Sequence, residues 1–236
     1  MKTFQCNRLM VSQVFTLLRA GTIDECISII KEKYDIGQIG QIGLLSILKK
    51  LKRRRSNIYG FSLNEIATIG NEIEFAGVTS TAVQNWVKRD VKQLIGSPLN
   101  GKKYSIDQAV MILIVEDLKM VLDFDSIRRV LSLVFNNLED RHDDLIDPVS
   151  FYNGYAFIFD KLVKTNNLAT FENSNKSWVE KEVVNYIEKH CTLDPHEQEI
   201  VKNVMVLAIF AVHASAYKMR AHHYLQTALL MKDEIY

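Results

Sequence analysis

The sequence has few of the residues that interrupt regular secondary structure. It contains 10 glycines and 3 prolines in 236 residues, well below the roughly 7% and 5% that are usual in proteins. Few glycines and prolines mean few tight turns, which disfavours β-sandwiches, β-barrels and dinucleotide-binding sheets. The composition therefore predicts a mostly α protein built from long helices.

Cysteine is also scarce, and an odd number at wide spacings excludes a disulfide scaffold and a paired-cysteine zinc site. The three are Cys6, Cys26 and Cys191. Such usage is typical of a reducing compartment.

Residues 1–8 lack the apolar stretch of a secretion signal, and the longest apolar run, residues 204–217, is too short and too polar to span a bilayer. We therefore expect a cytoplasmic protein with no membrane partner.

No single sign of charge dominates the chain, since 29 basic and 28 acidic residues leave a net charge of +1. The two halves nevertheless differ. Residues 1–131 carry 19 basic and 13 acidic residues, whereas residues 132–236 carry 10 and 15. A basic half joined to an acidic half indicates a polyanion as the partner of the basic half.

A helix-turn-helix pattern begins after Phe61. Ser62 and Glu65 have the spacing of a capping box that opens one helix, and Gly77 precedes a second helix near residues 81–89. One side of this second helix is apolar, and the other carries side chains of the kind that bond phosphates and base edges. The predicted DNA-contacting residues are Thr79, Ser80, Thr81, Gln84, Asn85, Lys88, Arg89, Lys102 and Lys103.

The last two of these residues belong to a predicted wing. Residues 94–105 centre on Asn100-Gly101, the dipeptide most typical of a tight β-hairpin. The sequence therefore predicts a two-stranded ribbon with lysines just beyond its tip. The same segment spells G-x-x-x-x-G-K, but Lys103 stands where a P-loop needs Ser or Thr, so we do not expect nucleotide binding.

A basic run ends the helix predicted over residues 44–55, with six basic residues in the seven from Lys49 to Arg55. Two roles are open for it: it complements the helix dipole on a solvated face, or it contacts phosphate. The candidate phosphate contacts are Lys52, Arg53, Arg54 and Arg55. Just before this helix, residues 35–43 repeat glycine at every third position. This repeat predicts a loop or helix start that another element approaches closely.

Residues 61–134 resemble the winged helix-turn-helix of the MerR family. The matching positions are Phe61, Ser62, Leu63, Glu65, Ile66, Ala67, Gly77, Val78, Thr79, Ser80, Gly101, Tyr104, Ser105, Leu118, Phe124, Asp125, Ile127, Val130 and Leu131. The resemblance implies double-stranded DNA as the partner and a homodimer on paired half-sites. Where that family usually has Arg-Tyr-Tyr in the recognition helix, this sequence has Gln84-Asn85-Trp86.

Residues 60–235 are similar to a bacterial family named domain of unknown function 1836. The matching positions are Asn85, Trp86, Val87, Lys88, Lys102, Lys103, Tyr104, Ser105, Asp147, Pro148 and Tyr152, followed by an aliphatic helix over residues 204–230. The family's name assigns no activity, so the resemblance supports the architecture alone.

The C-terminal half has only helical patterns. Helices are predicted to begin at Asp147-Pro148, at Ser177 and at Asp194-Pro195. The last would run for some 36 residues, or roughly 54 Å. A helix so long and apolar predicts either a two-fold dimer built from residues 195–232 or, in a monomer, a helix wrapped by its neighbours.

No catalytic or metal-binding pattern is evident. His213 and His222 lie on opposite sides of the last helix, and His142-Asp143 is interpreted as part of an acidic loop. We expect no enzyme activity, no metal and no cofactor. The predicted units are a helical extension (1–55), a MerR-like winged helix-turn-helix with a β-hairpin wing (56–135) and a helical dimerisation or regulatory bundle (145–236).

The function that follows is a DNA-binding transcription regulator, with a small effector or a protein as a further possible partner. The alternative is a protein–protein adaptor whose winged helix no longer binds DNA.

Overall fold

The computed structural model describes residues 5–54, 59–99, 101–136, 143–165 and 173–233, so Arg55, Asn100 and His142 lie outside the described residues. Helices dominate these ranges, as the scarcity of glycine and proline predicts. In chain order they are α1 (Arg8–Arg19), α2 (Ile23–Lys33), α3 (Ile36–Ile39), α4 (Gly43–Arg53), α5 (Leu63–Glu72), α6 (Ser80–Lys88), α7 (Lys92–Ile95), α8 (Ile106–Leu118), α9 (Phe124–Leu131), α10 (Pro148–Lys164), α11 (Asn173–His190) and α12 (Pro195–Asp233).

Local capping signals determine where several helices begin. Ser62 caps α5, Ser105 caps α8 and Asp147 caps α10, each accepting a hydrogen bond from a backbone N–H of the first turn. Asp194 does the same for α12 by accepting from the backbone N–H of Glu197 at 2.8 Å. These starts confirm the sequence predictions. They could be predicted because a cap depends only on residues close in sequence. The predicted start at Ser177 is wrong, since α11 already begins at Asn173.

The predicted β-hairpin wing does not form in the described part of residues 94–105, and the winged form of the helix-turn-helix is therefore not seen there. Within the described ranges there is no strand, and the extended pairing is limited to two isolated bridges, Cys6 with Ile73 and Phe61 with Tyr104. The mostly α prediction is confirmed, but the MerR-like winged architecture with a β-hairpin is contradicted.

Backbone groups that a ribbon would need for pairing are engaged elsewhere. The Gln108 side-chain amide donates to the carbonyl oxygens of Ile95 at 2.8 Å and Ser97 at 2.7 Å. Tyr104 exchanges both of its backbone hydrogen bonds with Phe61, each at 2.8 Å. The residues before the Asn-Gly dipeptide therefore form α7 and a loop that Gln108 fixes to the first turn of α8.

Helix α8 lies at the centre of the molecule. Every residue from Gln108 to Leu118 is buried, and the helix contacts α1, α5, α7, α10 and α12. On α10, which packs against α8, the side chains of Phe151, Tyr155 and Phe159 are fully buried. Helices from all three predicted units contribute to one continuous hydrophobic core that extends from Cys6 to Val212.

The last helix, α12, is 39 residues long and changes character along its length. Most of its side chains from Val201 to Ala216 are buried in the core of the same chain, whereas Tyr224, Leu229 and Leu230 are exposed. By length and composition, residues 195–230 would also suffice to cross a membrane. However, 56% of the most apolar window is buried inside the protein, and the core helix of a soluble protein meets the same criteria.

A buried ion pair joins α1 to α8. The Arg8 guanidinium, fully buried, donates to Asp117 through Nε at 3.1 Å and Nη2 at 2.8 Å. The Tyr155 hydroxyl of α10 donates to the same carboxylate at 2.7 Å. Burial alone lowers the pKa of Arg8, but the Asp117 carboxylate raises it above its ordinary value, so the group stays charged. Three helices thus share one buried charge cluster.

Removing the carboxylate charge should destabilise the protein strongly. Asp117→Asn leaves the Arg8 guanidinium buried without a counter-ion, which costs about 3–5 kcal/mol. Asp24→Asn is the matched control, because the exposed Asp24–Lys52 pair contributes at most about 1 kcal/mol. Urea unfolding of both variants measures the difference. Equal, small losses in the two variants would contradict the assignment of Arg8–Asp117 as a structural ion pair.

Candidate nucleic-acid interface

The two helices of the predicted helix-turn-helix are present, and they pack against each other. Helix α6 begins at its cap Thr79, whose hydroxyl accepts from the Ala82 backbone N–H at 3.1 Å. Val83, Trp86 and Val87 are buried, which confirms the apolar side of α6. The connection between α5 and α6, residues 73–79, is longer than the three or four residues typical of this motif.

The structure leaves most of the predicted contact residues accessible. Three of them, Ser80, Gln84 and Lys103, are only partly exposed, and Arg55 is outside the described residues. The exposed ones are Thr79, Thr81, Asn85, Lys88, Arg89, Lys102, Lys52, Arg53 and Arg54.

One hydrogen bond places the polar face of α6 beside the first turn of α5. The Gln84 side-chain amide donates to the side-chain oxygen of Asn64 at 3.2 Å. Asn64 is exposed, so the bond lies at the surface. Asn85 and Lys88 stay free of such contacts within the described chain and project from the same helix. The polar face of α6 is therefore an accessible surface with one of its amides held in place.

The other side of this first turn carries an ion-pair cluster around Glu65. The Glu65 carboxylate accepts from Lys50 Nζ at 3.0 Å and from Lys103 Nζ at 2.8 Å. It also accepts from the backbone N–H of Ser62 at 2.8 Å, completing the capping box. We refer to Ser62, Glu65, Lys50 and Lys103 as the Glu65 cluster. It joins the end of α4, the start of α5 and the segment before α8.

The Glu65 cluster determines the ionisation of its carboxyl group. Burial raises the pKa of Glu65, but hydrogen bonds from Lys103, Ser62 and Lys50 lower it further, to about 2. The carboxylate is therefore charged over the whole neutral range, and Lys103 is engaged with it. This engagement makes Lys103 a weaker candidate for contacting phosphate than the exposed Lys102.

The basic end of α4, Lys49–Arg54, lies next to the Glu65 cluster because Lys50 belongs to both. Lys52 pairs with Asp24. No carboxylate in the described part of the chain lies within ion-pair distance of Arg53 or Arg54, and the same holds for Lys88, Arg89 and Lys102. The end of α4, helix α6 and the segment before α8 each contact the first turn of α5, and each of them also carries these uncompensated cations.

The N-terminus of α4 is fixed to the other end of α5. The Glu72 carboxylate accepts hydrogen bonds from the backbone N–H groups of Gly43 and Leu44. A Cβ at position 43 would come within 2.6 Å of Thr68, so the helices approach closely at this glycine. This confirms the predicted close approach at Gly43 alone, since a Cβ at Gly37 or Gly40 would meet nothing within 4 Å. Both ends of α4 are thus attached to α5.

Two contributors to this surface were missed at the level of sequence. Lys50 was not among the predicted contacts, and Glu65 was identified only as a cap. The capping spacing is visible in the sequence, but the two lysines that meet Glu65 are 15 and 38 residues away. Within the described ranges no three His, Cys, Asp or Glu side chains are grouped as metal ligands.

The comparisons with known proteins agree on one family. The family profile described as Domain of unknown function (DUF1836) matches residues 56–155. An uncharacterized protein of Bacillus subtilis (strain 168), YkrK, is 39% identical over 174 residues, which cover 72% of this chain and 75% of that protein. No solved structure matches.

Glu65 should make stability depend on pH below the neutral range. Its folded-state pKa is about 2, below the ordinary value of about 4.3 in an unfolded chain. The contribution of the Glu65 carboxylate to the free energy of unfolding is therefore complete at pH values above the unfolded-state pKa, and it is lost as the pH falls towards 2. Glu65→Gln should remove this part of the acid sensitivity, measured as the free energy of unfolding in urea between about pH 5 and about pH 2.

The matched control for this experiment is Glu32→Gln, which changes an exposed glutamate of α2. This variant should keep the wild-type loss of stability in acid. If Glu65→Gln loses as much stability in acid as the wild type does, the two lysine contacts do not hold the carboxylate in solution.

Proposed function

The chain belongs to the family described as Domain of unknown function (DUF1836), and we propose that it is a cytoplasmic DNA-binding transcription regulator that reads DNA with α6. The observation that supports this most directly is the set of contacts at the first turn of α5. Asn64 there bonds the polar face of α6, and Glu65 bonds both the basic end of α4 and Lys103. One small region thereby carries a polar helix face and flanking cations.

The proposed role of α6 is to contact base edges in the major groove. An α-helix fits this groove, and Asn and Gln amides can bond adenine there with two hydrogen bonds. Asn85 and Thr81 are exposed on α6. Gln84 is held by Asn64 at 3.2 Å, so its amide is oriented before DNA arrives. Trp86 packs against Phe124 of α9, with ring centroids 6.1 Å apart, and supports the helix from behind.

The phosphate contacts of this proposal come from the two segments that, like α6, contact the first turn of α5. Lys102 is exposed, and Arg53 and Arg54 end the neighbouring α4. These cations have no acidic partner in the described chain, so DNA phosphates would not have to displace an existing ion pair. Lys103 has a different role here: it holds the segment before α8 against Glu65.

The resemblance of residues 61–80 to the MerR family adds support for the helix pair. The resembling positions include Ser62 and Glu65, which form the capping box of α5, and Thr79, which caps α6. The proposal uses the resemblance only for these two helices and their caps, and it includes no wing.

Variants of α6 should change which DNA is bound. Asn85→Ala or Gln84→Ala should weaken the free energy of binding by about 1–3 kcal/mol at the preferred DNA site and by less on other DNA, because each variant removes a base contact. Lys102→Ala and Arg53→Ala should weaken binding to all sequences and reduce the slope of log K against log salt by about 0.9 each. Binding to a library of genomic fragments at several salt concentrations measures both effects.

Lys181→Ala is the control, because Lys181 is exposed on α11, outside this surface. This variant should bind DNA with the affinity of the wild type. If the wild-type protein binds no fragment at about 50 mM salt and co-purifies with a stoichiometric protein partner, the adaptor alternative replaces the DNA-binding proposal.

Paired half-sites would require two copies of α6 in one particle. The buried stretch of α12, residues 201–216, serves the core of its own chain. The part of residues 195–232 that remains available is the exposed end, where Tyr224, Leu225, Leu229 and Leu230 are 50–74% exposed. We propose that this end contacts its counterpart in a second copy, since so many large apolar side chains exposed close together are unusual on a monomer surface.

Charges placed on this end should abolish the dimer. The wild type is expected to have twice the chain mass of 27.1 kDa. The double variant with Leu229→Asp and Leu230→Asp is expected to have the mass of a single chain, since charged residues are costly to bury at an interface. Leu133→Asp is the control, because Leu133 is 51% exposed and lies outside α12. Light scattering at micromolar concentration measures the masses, and a monomeric wild type would refute the dimer.

A further inference from the structure

A cavity of about 700 Å³ lies between α12, the end of α8 and the connection between α5 and α6. This volume is within the range of small-molecule sites, roughly 300–1,000 Å³. Its walls are mainly apolar, and the apolar side chains come from all three elements. They are Phe75, Ala76, Met120, Met219, Ala221 and Leu225.

Most of the charged groups of the cavity are already compensated. Asp117 bonds Arg8 and Tyr155, as described above. Glu116 lies 2.7 Å from Lys119 Nζ. Lys218 is the exception: its Nζ contacts only the sulfur of Met120, at 3.8 Å, and no carboxylate of the described residues lies within ion-pair distance.

We propose that this cavity binds an amphipathic monoanion, a carboxylate with an alkyl body, whose carboxylate pairs with Lys218. The alkyl body would lie against Met120, Met219 and Leu225. Such a ligand supplies both things that the cavity lacks, a counter-ion for Lys218 and apolar atoms to cover an open apolar wall.

The charge balance of the lining favours an anion over a cation. Asp117 is neutralised by Arg8, and Glu116 faces Lys119. Burial raises the pKa of Glu116 to about 7, against the lowering by Lys119, so its negative charge is incomplete at neutral pH. The uncompensated charge that remains is positive and lies on Lys218.

The cavity is also placed to influence α6. Its wall includes Phe75 and Gly77 of the α5–α6 connection. Phe75 has a φ of 60°, a left-handed conformation that residues with side chains rarely adopt. Its ring packs edge-on against Phe159 at 6.1 Å. A ligand against this constrained segment would favour one position of α6, a regulatory role that rests on the proposed DNA-binding function.

Calorimetry with three probes of the same chain length tests the site on the full-length protein without DNA. Decanoate, decanol and decylamine differ only in the head group. We expect saturable binding of one decanoate per chain, weaker binding of decanol and the weakest binding of decylamine. Lys218→Gln should weaken decanoate binding about tenfold or more, the effect of losing a charge-assisted hydrogen bond, and leave decanol unchanged.

Lys202→Gln is the matched control, since Lys202 is on α12 but outside the cavity and pairs with Glu199. This control variant should bind decanoate with an affinity within about twofold of that of the wild type. Circular dichroism melting checks that both variants fold. No binding of decanoate by the wild type, tighter binding of decylamine, or an unchanged affinity in Lys218→Gln would each overturn the proposed site.

A second measurement separates the site from its effect on DNA. If the protein binds DNA, decanoate should change the affinity of the wild type at least about threefold and leave that of Lys218→Gln unchanged. Binding of decanoate without any change in DNA affinity overturns the regulatory role alone. Decanoate binding by a protein that binds no DNA supports the site and refutes the proposed function.

Discussion

The buried pair of Arg8 and Asp117 is the constraint on which the rest of the fold depends. A guanidinium enclosed among apolar side chains is tolerated only with a counter-ion and further hydrogen bonds, so α1 has one acceptable position on α8. The backbone N–H of Arg8 also donates to the Glu74 carboxylate in the α5–α6 connection, at 3.0 Å. The first helix thereby determines both the central helix pair and the segment that leads into α6.

The same constraint extends to the candidate interface through α4. Helix α2 packs against α1 and against α4, so the position of α1 is transmitted to α4. Glu72 then holds the N-terminus of α4, and Glu65 holds Lys50 near its C-terminus. With both ends attached to α5, the basic end of α4 has a defined place beside the first turn of α5, the turn that Gln84 of α6 also contacts. Surface ion pairs contribute little stability singly, but here they orient elements that the core already holds.

The features that could be predicted from the sequence are those that depend on neighbouring residues. The caps at Ser62 and Asp194 and the apolar side of α6 are local, and the structure confirms them. The failed prediction is also instructive. An Asn-Gly dipeptide favours a hairpin only if its flanking backbone is free to pair, and Gln108 occupies that backbone. The Arg8–Asp117 pair spans 109 residues, a distance at which no local pattern selects one partner.

Because the described residues of the segment 94–105 form no wing, a helix such as α6 would have to be held on DNA in another way. Recognition by one short helix needs phosphate contacts on its flanks to fix its register. In a winged protein the ribbon supplies one flank, whereas here Gln108 fixes the corresponding segment as a loop with Lys103 turned towards Glu65. The uncompensated cations that remain for that flank are Lys102 in this loop and Arg53 and Arg54 at the end of α4, in residues 1–55. The N-terminal segment is therefore part of the candidate interface, because it supplies two of these uncompensated charges through Arg53 and Arg54.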